Sequence, residues 1–210
     1  MALRGLASAI QFLIFGRVSP GIGRAAAWFP VVGTALGAAG AGIYLIVPPP
    51  FGAFACVVLW AASGRILNEG KLIYGAAILS AVARWLALEN FAEAPGILVV
   101  CIAAQAIPRA AVVGMAWVSR PAGTGLDYEL ASTLTTPMAI AAIAQGVLAA
   151  FLCGARAAVV LIVGSFLIAK LVREFFYKRR GGVDGDCLGV TEQLLEIFIL
   201  AVFACRACAL

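Results

Sequence analysis

The stretch GGVDGDCLGVTEQLLE, Gly181 to Glu196, holds four of the chain's ten acidic residues: Asp184, Asp186, Glu192 and Glu196. Gly181, Gly182 and Gly185 let the backbone turn tightly or approach a phosphate closely. Asp184 and Asp186 offer the hard oxygen ligands that magnesium takes. Glu192 and Glu196, four apart and expected at the start of the last helix, put both carboxylates on one helical face. Just upstream, FFYKRR adds Lys178, Arg179 and Arg180. Cations, acids and glycines together are what phosphoryl transfer requires, because magnesium and guanidinium groups share the charge that develops on the phosphate. The same residues would equally serve as a basic membrane anchor followed by an acidic helix start that complements the helix dipole.

A second set of charges lies inside apolar sequence. Arg109, in AQAIPRAAVV, falls near the middle of an otherwise apolar segment and directly follows Pro108. A charge at such depth costs at least about 2.5 kcal/mol, and it is usually paired with an acid or lines a wet cavity, so Arg109 is a functional candidate. Arg84, in AVARWLAL, sits nearer a helix end, where it either snorkels to the interface or turns inward. Toward the N-terminus, Arg17, Ser19 and Arg24 precede a segment that opens with Trp28, Phe29 and Pro30. Trp28 and Phe29 suit an interfacial belt. Gly33, Gly37 and Gly40 fall on one helical face, a pattern that favours close helix packing over a ligand role.

The elements that position these residues must sit in lipid. The 210 residues are 64% hydrophobic and 12% charged, with a mean hydropathy of +1.06, more apolar surface than a soluble domain of this size can hide. The absence of histidine excludes a histidine base or nucleophile and any histidine-ligated zinc or haem. Acid-base or metal work is left to carboxylates. The six cysteines, Cys56, Cys101, Cys153, Cys187, Cys205 and Cys208, lie mostly in apolar runs. Only Cys205 and Cys208 are close, and all six read as small buried hydrophobes. The net charge of +5 comes without a basic patch interleaved with aromatics, so nucleic acid is not an expected partner.

A bilayer core of about 30 Å calls for roughly 20 apolar residues per helix, and the sequence offers about seven candidates. They run near Phe29–Val47, Phe51–Ser63, Leu72–Leu88, Ile97–Val118, Pro137–Leu152, Ala157–Lys170 and Leu194–Ala209, the fifth and sixth being either two spans or one helix broken at CGAR. A further helix over Ala2–Phe15 is too short to cross and suits the interface. No cleaved signal peptide is expected, since apolar segments recur along the whole chain. The expected fold is therefore an all-α polytopic membrane helix bundle, one domain over residues 1–210. Lysine and arginine crowd one set of loops, including Arg65, Lys71, Arg120, Arg173, Lys178, Arg179 and Arg180, which places the N-terminus and those loops in the cytoplasm. The segments Arg65–Lys71, Arg120–Leu130 and Arg173–Glu192 would then converge on the cytoplasmic face.

Three blocks of sequence carry a resemblance to the cobalamin synthase family, the membrane adenosylcobinamide-GDP ribazoletransferases. FLIFGRVSPGIGRAAAWFPVVGTALG is similar to the family's opening. AIPRAAVVGMAW leading to GTGLDYEL resembles its arginine-bearing helix and glycine-leucine-glycine loop, with Asp127 where the second glycine is usual. Against the family pattern G-G-x-T-G-D-x-L-G-A-x-x-E-x-x-E, the chain keeps Gly181, Gly182, Gly185, Asp186, Leu188, Gly189 and Glu196. Asp184 replaces the threonine and Gln193 the first glutamate. The family's other acidic motif, H-L-D-G-L-A-D-x-x-D-G, is not matched: the corresponding place reads SGRILNEGKLIYGAAIL, with Asn68 and Glu69 at the first acid.

The resemblance implies a transferase of the late cobalamin pathway, in the bacterial inner membrane. Alpha-ribazole or its 5'-phosphate would be joined to adenosylcobinamide-GDP with release of GMP. It also implies Mg2+ held by Asp186, Glu196, Glu69 and Asp184, with Asp186, Glu69 and Arg109 catalytic. Arg17, Arg24, Arg65, Gly181, Gly182 and Gly185 would bind substrate. The alternatives are a family fold that binds a corrinoid precursor without turnover, and a small membrane transporter or assembly protein. The glycine-rich helices also permit a homo-oligomer.

Overall fold

The computed structural model describes residues 2–15, 22–48, 50–63, 73–91, 96–122 and 126–205. Nine α-helices account for most of them: α1 (Ala2–Phe15), α2 (Phe29–Ile46), α3 (Phe51–Ser63), α4 (Ile73–Glu89), α5 (Ile97–Val118), α6 (Leu126–Thr133), α7 (Thr136–Leu152), α8 (Ala155–Arg180) and α9 (Gly185–Ala204). A 3-10 helix, Ile22–Trp28, leads into α2. Among the described residues there is no strand, and one isolated bridge joins Pro121 to Val183.

The chain folds as a helical membrane bundle. Among the described residues, four helical segments are long and apolar enough to cross a membrane: Ile22–Ile46, Ile97–Val118, Ala155–Arg180 and Gly185–Ala204. Helices stand at each of the seven expected places, several of them short. The expected initial helix is α1, whose 14 residues extend about 21 Å, less than the hydrocarbon core. Its Ala9, Phe12 and Leu13 are buried in the bundle.

At the centre stands α5, packed against α2, α7, α8 and α9. Fifteen of its 22 residues are buried, against five of 26 in α8, which lies at the periphery. There α8 exposes Val159, Val163, Phe166, Leu167 and Leu171, side chains that suit contact with lipid. Close approach to α5 rests on the glycine face of α2. A Cβ at Gly33 would strike the Gln105 carbonyl oxygen, and one at Gly37 the Cys101 carbonyl oxygen. At Gly40 the neighbour is α3, where Trp60 Nε1 donates to the Leu36 carbonyl at 3.1 Å.

Three boundaries differ clearly from expectation, one being the end of α9, at Ala204 rather than Ala209. Helix α8 does not stop near Lys170 but continues to Arg180. Its last turns are held by arginine stacked on aromatic rings four residues away, Arg173 with Tyr177 at 4.7 Å and Arg179 with Phe175 at 4.4 Å, together with basic residues favoured at a helix C-terminus. Helix α9 begins at Gly185 rather than Leu194, because Asp184 caps it by accepting from the Cys187 amide at 2.9 Å, satisfying an otherwise orphaned donor. Gly181, with φ of +75°, closes α8 in the left-handed conformation that glycine adopts without strain. The turn between the two helices is thus only four residues long, and α8 and α9 return side by side.

Candidate functional site

The early start of α9 moves Glu192 and Glu196 inward. Expected at the helix start on the cytoplasmic face, they occupy its second and third turns and are both buried. Arg109 meets them from α5, its Nη2 at 3.3 Å from Glu192 Oε1 and its Nη1 at 3.9 Å from Glu196 Oε1. Arg84, from α4, forms an ion pair with Glu196 and donates from Nε to the Ser80 carbonyl at 3.2 Å. It turns inward; snorkelling to the interface is not what the structure shows. Two arginines thus meet two glutamates, and the buried set has no formal net charge. Each charge supplies what the others would otherwise lack, which is how ionisable groups persist at such depth.

Arg109 is further held by its own helix. Nη1 donates to the Gln105 carbonyl at 2.6 Å and to Gln105 Oε1 at 2.8 Å. Pro108 lacks an amide, so α5 forgoes the backbone bond to the Ala104 carbonyl one turn earlier. Arg109 Nε and Gln105 Nε2 have no protein partner. Beside Arg109 and Glu192 lies a small cavity of about 10 Å³, walled by Phe12, Leu13, Phe29, Val112 and Leu130. That volume is about one water molecule.

A second cluster sits where α8 turns into α9. Arg180 pairs with Asp184 and, at 2.8 Å, with Asp186 Oδ2. The turn is clamped to the segment after α5: the Val183 amide donates to the Arg120 carbonyl at 2.9 Å, and the Ala122 amide to the Val183 carbonyl at 2.8 Å. Gly182 makes this possible, since a Cβ there would lie 2.7 Å from the Arg120 carbonyl oxygen. The Arg120 amide donates to Tyr177 Oη at 2.7 Å, and Arg173 Nε donates to Ser119 Oγ at 2.9 Å. Two of the three polar segments expected to converge, after α5 and after α8, therefore do meet.

The structure divides the expected site residues into these two tiers. Asp184, Asp186, Gly181, Gly182 and Gly185 belong to the rim, whereas Arg109 and Glu196 belong to the buried tier. Ten residues of helix separate Asp186 from Glu196, about 15 Å along the axis, so the two do not share one ion. Gly182 is buried against backbone, while Gly181 is exposed. Arg24 is exposed on the 3-10 helix. Arg17, Arg65 and Glu69 lie outside the described residues. Arg84, Glu192 and Arg180 gain importance that motif reading did not give them. The available signal was arithmetic: two arginines in apolar segments require two acids, and Glu192 and Glu196 have the spacing to supply them.

Among the described residues no group of three potential metal ligands converges. The buried glutamates do not suit magnesium, since both are already matched by arginine. The rim pair suits it better: Mg2+ keeps several waters and takes one or two carboxylates plus substrate phosphates, and Asp184 with Asp186 is such a donor set once Arg180 turns to a phosphate.

A family model described as cobalamin-5-phosphate synthase matches residues 70–204, and the chain belongs to that family. Over 215 aligned residues it is 28% identical to an adenosylcobinamide-GDP ribazoletransferase of Ralstonia pickettii (strain 12J), covering 86% of this chain and 84% of the relative. Shorter matches join it to proteins of the same description. One from Clostridium tetani is 36% identical over 52 residues, 25% of this chain and 21% of the relative. One from Vibrio cholerae is 40% identical over 43 residues, 20% of this chain and 16% of the relative. No solved structure matches.

Proposed function

We propose that the protein is an adenosylcobinamide-GDP ribazoletransferase of the bacterial inner membrane, with its N-terminus and the α8–α9 turn in the cytoplasm. The ribose hydroxyl of alpha-ribazole, or of its 5'-phosphate, attacks the cobinamide-bound phosphorus of adenosylcobinamide-GDP. The new P–O bond forms as the bond to GMP breaks; GMP leaves, and the hydroxyl proton passes to solvent or a base. The observation that carries this proposal is Arg180 held between Asp184 and Asp186 at the head of α9. An incoming diphosphate competes with both carboxylates for that guanidinium, which draws Arg180 onto the phosphate. The freed carboxylates are then available to Mg2+, which supplies neutralisation of phosphate charge; Glu69 is a further candidate ligand. Arg120, exposed on the same rim, adds positive charge for the substrate.

A specific observation favours a second reading, a corrinoid-binding family member without turnover. Asp184, Asp186, Glu192 and Glu196 are all engaged by arginine, and Glu69 alone stands in the segment where the family carries several aspartates. One experiment separates the two. Purified protein in liposomes is given adenosylcobinamide-GDP, alpha-ribazole and magnesium, and GMP and the cobalamin product are followed by chromatography. The transferase forms both products, loses them on magnesium removal, and falls at least about a hundredfold with Asp186→Ala, as expected for loss of an electrostatic contact to the reacting phosphate. Binding of the corrinoid with no GMP supports the second reading.

A further inference from the structure

An apolar groove among the described residues lies outside the buried charge cluster and reaches the rim only at Arg173. It runs between α5, α7 and α8, with a volume of about 470 Å³, within the range of roughly 300–1,000 Å³ that takes a small-molecule-sized occupant. Its walls are almost wholly apolar, with Ile107, Ala111, Gly114, Ile143, Val147 and Phe166 among them. Phe166 is also one of the α8 side chains directed outward, so the groove opens on the face that meets hydrocarbon. Its polar groups are not scattered. Lys170 and Arg173 stand at one end, beside Trp117 and Val118 at the close of α5. The Arg173–Ser119 hydrogen bond shows that the ends of α5 and α8 meet there.

Two observations at this end point to a ligand. Ser165 lines the groove, is 6% exposed, and its hydroxyl has no partner in the protein. Arg173 gives Nε to Ser119 and lays its guanidinium against the Tyr177 ring, and Lys170 has an exposed companion, Glu174 at 3.9 Å. Both cations can therefore turn toward a negative group at the groove mouth. A soluble nucleotide would find few hydrogen-bonding groups along these walls, whereas an acyl chain requires none.

We propose that this groove binds one anionic phospholipid, its acyl chain between α5, α7 and α8 and its headgroup phosphate on Lys170 and Arg173. Basic residues between membrane helices on the cytoplasmic side are suited to such headgroups. Lys170 reaches the phosphate by extending its stem along the apolar wall, and Trp117 sits at interfacial depth. The Ser165 hydroxyl gains an acceptor in the ester region of the lipid.

The test uses the full chain in neutral detergent. Phosphatidylglycerol and phosphatidylcholine of the same acyl composition are added in turn, retained lipid is counted by native mass spectrometry, and the melting temperature is recorded. The expected result is several-fold greater retention of phosphatidylglycerol, with a melting shift of a few degrees that phosphatidylcholine does not give. The double variant Lys170→Gln/Arg173→Gln should lose that preference. Ala111→Phe fills the groove while leaving both cations in place; it should lower retention of both lipids, which guards against a folding defect in the charge variant. Equal retention of the two lipids, or a preference unchanged in the double variant, overturns the proposal. So does inorganic phosphate reproducing the melting shift, which would mean a free-anion site. A dimer that Ala111→Phe dissolves without altering lipid retention would assign the groove to a second copy of the chain.

Discussion

Glu196 stands between two guanidinium groups, Arg84 and Arg109, with Glu192 beside the second, and a defect at this residue should spread to all four. Removing one partner of a buried ion pair costs about 3–5 kcal/mol because the other charge is left in place. Glu196→Gln is accordingly expected to lower unfolding stability in detergent by that amount. Arg84→Met/Glu196→Met removes both charges and should cost distinctly less than the two single changes added together; a double-mutant cycle measures the difference. Asp186→Ala is the contrasting case. Its carboxylate is partly exposed, so stability should change by less than about 1 kcal/mol while turnover collapses.

Among the elements, α2 and the α8–α9 turn depend most on single glycines. Gly37→Leu would force side-chain atoms into the backbone of α5 at Cys101. Overpacking costs typically 1–3 kcal/mol, and more is expected here because the obstacle is backbone; loss of folded protein on size exclusion is the readout. Gly181→Ala places a Cβ on a left-handed residue, φ +75°, which costs about 1–2 kcal/mol. No neighbour lies within 4 Å of that Cβ, so turnover should survive in whatever fraction folds. Helix existence was legible in the sequence because apolar runs of membrane length have few other solutions, and α5 falls on Ile97–Val118 as expected. Boundaries beside charge were not. FFYKRR reads as a loop until aromatic and guanidinium groups stack four residues apart, and Asp184 reads only as a ligand until its cap is seen. The chemistry of the site was legible as residue types; its division into two tiers depended on where α9 begins. The short helix α6 carries little apolar pattern and was not expected.

For the molecule as a whole, orientation is the testable property. Cysteine introduced at Arg179 should react with a membrane-impermeant maleimide from the cytoplasmic side only, and one at the exposed Arg156, in the first turn of α8, from the opposite side only. The native Cys153 supplies a control beside that second site. Burial pushes its thiol up to about 11, so at pH 7 nearly all of it is protonated and unreactive. Its labelling should rise about tenfold per pH unit up to that value, while the introduced exposed thiols, nearer pH 8.5, react readily at pH 7.

The pairing of α4 and α5 with α9 also bears on biogenesis. Arg84 and Arg109 are made and inserted well before the helix that carries Glu192 and Glu196, so during synthesis both cations wait without their acids. Any chain that stops short of Glu192 exposes two stranded arginines at membrane depth, a defect that membrane proteases and chaperones can recognise. Helix α9 thus closes the charge balance that α4 and α5 open, and order of synthesis becomes part of how the bundle is assembled.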